Sequence, residues 1–291
     1  MSFFNTRLVK ALALSAAISI GFSPQAFALG PIQATVLDYS AGVPSAAAVK
    51  ASGAAGAVRY VSRPRPDALW MLGKPVGLRE TRDFAANGLS TASVYQFGKG
   101  PTADWRQGAY GAAIHAPQAI ALHKAAGGPT GRPIYVAIDD NPTWAEYDQL
   151  IRPYLRAFQE ALLLGGYSMG IYGNYNTIEW ASRDGLGSFY WQHDWGSQGR
   201  IHPLTTIHQK AGQQRTVDGI LVDVNNVYAR DWGQWRPGDR GILLPQPPAP
   251  PRADLGHALA GLSSHIPGAD RFPLPHGDQI NQALQIVRLS S

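Results

Sequence analysis

The run Pro133-Ile134-Tyr135-Val136-Ala137-Ile138-Asp139-Asp140-Asn141-Pro142 constrains this chain more than any other stretch. Its body is aliphatic and aromatic, a proline stands at each boundary, and it ends in two adjacent carboxylates. A short apolar run bounded by turn residues suits a parallel strand covered on both faces. Acids are costly to bury unless paired, and in parallel α/β folds ligands bind at the C-terminal ends of strands. A helix cap would account for one aspartate. The next helix, however, brings its own capping box, Thr143-Trp144-Ala145-Glu146. The acidic pair is therefore read as part of a site.

Strand and helix patterns alternate along the chain from Ile32. Strands are expected over 34–40, 57–62, 90–97, 133–138, 168–173, 188–193, 205–209 and 219–224. Helices are expected over 45–52, 78–86, 109–126 and 177–183. A further helix carries Ile151, Leu155, Phe158 and Leu162 on one face. Eight strands with helices between most of them predict an α/β chain folded as a (β/α)₈ TIM-type barrel. The last two crossovers are too short for full helices, so irregular segments are expected there.

Three regions are expected. Residues 1–28 have the form of a secretory signal peptide: Arg7 and Lys10, then an apolar stretch from Ala11 to Phe22, then the small-x-small site Ala26-Phe27-Ala28. The apolar stretch is too short to span a membrane, so no stable membrane anchor is expected once it is removed. It contains no Arg-Arg pair, which favours the general secretory route. Residues 29–237 hold the barrel. Residues 238–291 form a Pro-rich linker, including Leu244-Pro-Gln-Pro-Pro-Ala-Pro-Pro251, and a tail too short for a core of its own.

Composition narrows the chemistry. The chain has no cysteine, which removes disulfides, thiol nucleophiles, iron–sulfur clusters and Cys-ligated zinc. The formal charge of +5 falls to +3 without Arg7 and Lys10. That is too weak to indicate nucleic acid, and it fits attraction to anionic wall polymers. No Gly-x-Ser-x-Gly elbow and no phosphate loop occurs. Asp139-Asp140 echoes the Asp-Asp motif of metal-dependent deacetylases, but no histidine pair has the three- or four-residue spacing that chemistry needs; His115 and His123 are eight apart. No metal or other cofactor is implied.

Laid on a barrel, the strand ends gather polar and aromatic side chains on one face. Asp38, Asp139, Asp140 and Asp223 are the candidate catalytic carboxylates. Gln96, Asn141, Gln192, Gln209 and Asn225 are candidate hydroxyl binders, and Tyr172 and Trp191 candidate ring platforms. Acids, amides and aromatic faces together suit a sugar.

At these residues the sequence resembles the glycoside-hydrolase-like domain family formerly called DUF1906, and more distantly the lysozymes of glycoside hydrolase family 25. The matching stretches include Val36-Leu-Asp38-Tyr-Ser, Pro133-Ile-Tyr-Val-Ala-Ile-Asp139, Gly170-Ile-Tyr-Gly173-Asn-Tyr, Tyr190-Trp191-Gln192, His208-Gln209 and Val222-Asp223-Val-Asn225, in family order over roughly 32–235. The resemblance implies a secreted barrel that cleaves or binds cell-wall glycan, with peptidoglycan or a related polysaccharide as its partner; if it cleaves, Asp139 is the expected acid/base. Two departures stand against cleavage. The family usually has an acid two residues after the Asp139 equivalent, where this chain has Asn141, and often Glu where this chain has Gln96. An amide cannot exchange the proton that glycosidic cleavage needs. A non-catalytic glycan-binding or wall-remodelling factor on the same barrel is the alternative.

Overall fold

The computed structural model describes residues 29–242 and Leu244. The expected signal peptide and nearly all of the expected linker and tail lie outside the described residues.

Eight strands close into one barrel in chain order. They are β1 (Ala34–Asp38), β2 (Gly56–Tyr60), β3 (Ser90–Tyr95), β4 (Pro133–Ala137), β5 (Ser168–Gly173), β6 (Phe189–His193), β7 (Ile207–Val217) and β8 (Ile220–Val227). The helices α1 (Ala46–Ala51), α2 (Leu78–Ala86), α3 (Gly108–Ala125), α4 (Trp144–Glu146), α5 (Arg152–Leu164) and α6 (Tyr175–Arg183) fill the crossovers up to β6. The capping box at α4 forms as read: Thr143 Oγ1 accepts from the Glu146 N–H and Glu146 Oε2 from the Thr143 N–H. The helix expected to run on from it is broken by a π-turn at Tyr147–Ile151. Pro153 opens α5, and a proline has no N–H to give to the preceding turn.

Strands β1 to β7 run parallel, each to the next. Strand β8 is antiparallel to both β7 and β1, a departure from the all-parallel barrel. Val217 pairs with Ile220 across Asp218-Gly219, and both turn residues have positive φ, 54° and 76°. That is the two-residue Asp-Gly turn of a hairpin, which reverses the chain. Strand β7 therefore runs past its expected end at Gln209 and forms, with the start of β8, an arm beyond the barrel mouth.

Alternation along each strand sorts side chains between two layers. Val36, Val58, Ala92, Val94, Tyr135 and Trp191 pack inside the barrel. Ile134, Val136, Ile138 and Ile171 face outward onto α3 and α5, against Ala116, Leu155 and Phe158. After β8 the chain closes the barrel's lower end. Trp232 joins the inner layer, its carbonyl accepting from Tyr135 Oη at 2.9 Å. Trp235 bridges Thr91. Beyond Pro237 the Ile242 N–H donates to Thr130 O.

Candidate active-site cleft

The inward parity of each strand continues past its end and decides what reaches the mouth. On β4 the inward residues are Tyr135 and Ala137, so Asp139 comes next on that face, whereas Asp140 keeps the outward parity of Ile138. The two carboxylates separate accordingly. Asp139 lines a cleft of about 270 Å³ at the mouth. Asp140 accepts from Trp105 Nε1 at 3.2 Å on the helix side, and burial raises its pKa against the pull of that bond.

Asp223 lines the same cleft. It sits mid-strand on β8, not at its end, and reaches the mouth because the antiparallel register sets it beside Asp38. Strands β4 and β8 are four apart in an eight-stranded ring, so Asp139 and Asp223 approach the cleft from opposite sides. Gln214 Nε2 holds Asp223 Oδ1 at 2.8 Å from the arm. Two donors share Oδ2 of Asp139: Gln96 Nε2 at 3.0 Å and Lys99 Nζ at 2.6 Å.

Asp38 is 2% exposed and lies behind that surface. Asn225 Nδ2 and Gln209 Nε2 donate to its Oδ2 at 2.7 and 3.1 Å. Each amide is oriented in turn by an aromatic residue. Trp191 Nε1 donates to Asn225 Oδ1 at 2.8 Å, and Tyr172 Oη donates to Gln209 Oε1 at 2.6 Å. Burial, then repulsion from Asp223, push the Asp38 carboxyl up to about 7 despite these bonds. It carries a proton over much of the acidic-to-neutral range.

The cleft does not collect every expected residue. Gln96, Tyr172 and Gln209 line it. Asn225 and Trp191 are sealed in the barrel below, where they position Asp38. Gln192 has outward parity and is fully buried; its Oε1 accepts the His202 N–H and its Nε2 donates to Arg200 O, so it ties down the loop after β6. Asn141 is turned away, its Oδ1 accepting from Asn174 Nδ2 at 2.8 Å. His193 and Asp194 do not pair with each other: Asp194 takes His208 Nε2 at 2.6 Å and the Ala211 N–H. His115 and His123 are buried and bonded to Tyr95 and Ser93.

Among the residues of the wall that sequence reasoning missed are Tyr60, Trp70, Lys74 and Lys99. Tyr60 was legible, since it takes the inward parity of Val58. Its hydroxyl lies in the field of Asp38, Asp139 and Asp223, and burial followed by these charges raises its pKa. Trp70, Lys74 and Lys99 stand on loops, where no periodicity reports direction.

A closed barrel with carboxylates, amides and a phenol at the C-terminal ends of its parallel strands has the architecture of a glycoside hydrolase. The chain belongs to the Rv2525c-like, glycoside hydrolase-like domain family, whose model matches residues 47–227. It is 50% identical over 202 residues to Rv2525c of Mycobacterium tuberculosis, a protein provisionally assigned as a peptidoglycan hydrolase; the match covers 69% of this chain and 83% of that one. The crystal structure of Rv2525c, described as Tat-secreted and in complex with L-tartrate, is similar with a TM-score of 0.66 and 49% identity, covering 72% of this chain and all of that one. An uncharacterised protein of B. stearothermophilus shares the fold at 15% identity, with a TM-score of 0.50 over 68% of this chain and 96% of that one. Among the described residues no helix is long and apolar enough to cross a membrane.

Proposed function

We propose that this protein is exported and hydrolyses cell-wall glycan, peptidoglycan or a related polysaccharide, in the cleft between Asp139 and Asp223. The observation that carries the reading is that these two carboxylates line one cleft from opposite sides. Glycosidic cleavage needs two carboxyl groups flanking the bond. Asp139 is the candidate acid/base, and the substrate must displace Lys99 from its Oδ2 or share that oxygen. Asp223 is the facing carboxylate. Asp38, held behind it, sets the charge of the cleft floor. The provisional assignment of Rv2525c as a peptidoglycan hydrolase supports the substrate class. The Tat secretion of Rv2525c supports export, although residues 1–28 here contain no Arg-Arg pair and fit the general secretory route.

A second reading, a glycan-binding factor without cleavage, is favoured by Asn141. Its amide supplies no proton and is committed to Asn174. Reducing-end release from purified wall material by the mature protein separates the readings. Under the first, wild type releases ends and Asp139→Asn does not. Under the second, wild type binds the wall without releasing ends.

A further inference from the structure

Lys74 is a buried cation on the cleft wall, 8% exposed. Its Nζ donates to the main-chain carbonyl of Gln96 at 2.7 Å and lies 4.4 Å from the centroid of the Tyr60 ring. Among the described residues no carboxylate stands within ion-pair distance of it. A buried ammonium without a counter-ion is expensive, and burial, aided by Arg65 and Arg59, pushes its pKa down to about 7 against the attraction of Asp104.

The surrounding structure holds the lysine in place. The fully buried guanidinium of Arg59 is paired with Glu80 at 2.6 Å and donates to Gly73 O at 2.6 Å, one residue before Lys74. The Gly73 N–H donates to Ser40 O. A Cβ on Gly73 would lie 2.5 Å from Gly42 O, so the loop passes there only as glycine. Two more cations line the same wall, Arg65 and Lys99. The carboxylate partner of Arg65 is Asp67, whose side chain is 72% exposed. Lys99 is paired with Asp139. Beside Lys74, Trp70 lines the cleft and is 58% exposed, leaving much of its side chain open to solvent.

We propose that this wall is a subsite for an acidic saccharide: a sugar ring lies on Trp70, and its carboxylate is the counter-ion of Lys74. This deepens the glycan reading above and rests on it. A neutral hydroxyl can accept a hydrogen bond from the ammonium but cannot neutralise it. A carboxylate does both. The free anion alone would leave Trp70 unused, whereas indole faces stack on the apolar faces of sugar rings. The carboxylate has two chemical sources, the lactyl ether of a muramic acid that carries no stem peptide, and C6 of a uronic acid.

The test compares matched pairs by NMR titration or calorimetry on the mature protein at pH 6: N-acetylmuramic acid against N-acetylglucosamine, and glucuronic acid oligosaccharides against their neutral glucose counterparts. The acidic member of at least one pair should bind at least tenfold more tightly, and the pair that shows the preference identifies the source. Lys74→Met should bring the acidic sugar to within threefold of the neutral one, and Lys74→Arg should keep part of the preference. Trp70→Ala, at an exposed position that does not bear on folding, should weaken both members of the preferred pair. Equal binding of acidic and neutral sugars by wild type, or a preference that survives Lys74→Met, would overturn the subsite and leave the glycan reading standing. Binding of neither sugar, nor of wall fragments, would overturn both. Should Lys74→Met fail to fold, Trp70→Ala decides: affinities for both members of the preferred pair that are unchanged by it overturn the proposal.

Discussion

Lys99 Nζ lies 2.6 Å from Oδ2 of Asp139, and Gln96 Nε2 donates to the same oxygen. The carboxylate expected to do the chemistry is therefore occupied in the absence of substrate. Lys99 is half exposed, so displacing it requires little desolvation, and pairs of that kind contribute at most about 1 kcal/mol.

The first prediction concerns that pair. Asp139→Asn should reduce reducing-end release at least 100-fold, in the range usual for a lost acid/base group, while glycan affinity stays within about threefold because the amide keeps the shape. Lys99→Met should leave turnover within about tenfold, since the ammonium competes for Oδ2 and takes no part in bond breaking. Turnover that survives Asp139→Asn would refute Asp139 as the acid/base.

A second prediction separates positioning from binding. Trp191 donates to Asn225 Oδ1 from within the barrel, at 1% exposure. Trp191→Phe removes that donor and leaves a buried acceptor unpaired, which costs about 1–3 kcal/mol, with a further loss from the smaller ring. Urea denaturation should show the destabilisation, and glycan affinity should change less than in Trp70→Ala. The reverse order would place Trp191 at the sugar.

The barrel was legible because its strands are short apolar runs that alternate with amphipathic helices, and a period is a property of sequence. Strand β8 was legible as a strand but not in direction. The signal, Asp218-Gly219 between two strand patterns, was present, and a two-residue turn cannot build a parallel crossover. Asp223 was nevertheless placed at the mouth, since reversing the strand kept it beside Asp38. The separation of Asp139 from Asp140 followed from alternation alone. The amides were harder. Gln192, Gln209 and Asn225 look alike in sequence, and only the strand's parity and the depth of its register decide between loop anchor, cleft wall and buried donor. Lys74 and Lys99 left no trace because loop residues carry no period.

The third prediction concerns the support under Lys74. Arg59→Met removes the partner of Glu80, whose side chain is only 10% exposed, together with the donor to Gly73 O. Breaking a buried pair from one side costs about 3–5 kcal/mol. Thermal or urea denaturation should show a loss of that size, with faster hydrogen exchange at Gly73, whose N–H is bonded to Ser40 O. A loss below about 1 kcal/mol would mean that the network does not hold the loop.

The last prediction follows from Asp38. Its folded pKa of about 7 stands above the ordinary 3.8, raised first by burial and then by Asp223. The folded state thus binds the proton more tightly than the unfolded chain does. The resulting stability is fully present below the unfolded pKa and is lost as pH rises through the folded one. Between pH 5 and pH 8 the loss amounts to roughly 2–3 kcal/mol for a single group shifted this far. Lys74 runs the other way: its folded pKa is lowered to about 7 by burial, so its contribution improves above neutrality, and a raw pH profile mixes the two. The difference between wild type and Asp38→Asn isolates the aspartate. The substituted side chain cannot titrate, and its amide also meets the donors of Asn225 and Gln209, so the variant should be less stable than wild type at pH 5. That deficit should shrink by roughly 2–3 kcal/mol on going to pH 8. Urea denaturation at the two pH values measures it. A deficit that is the same at both would show that Asp38 is ionised throughout and that the cleft floor carries its full negative charge.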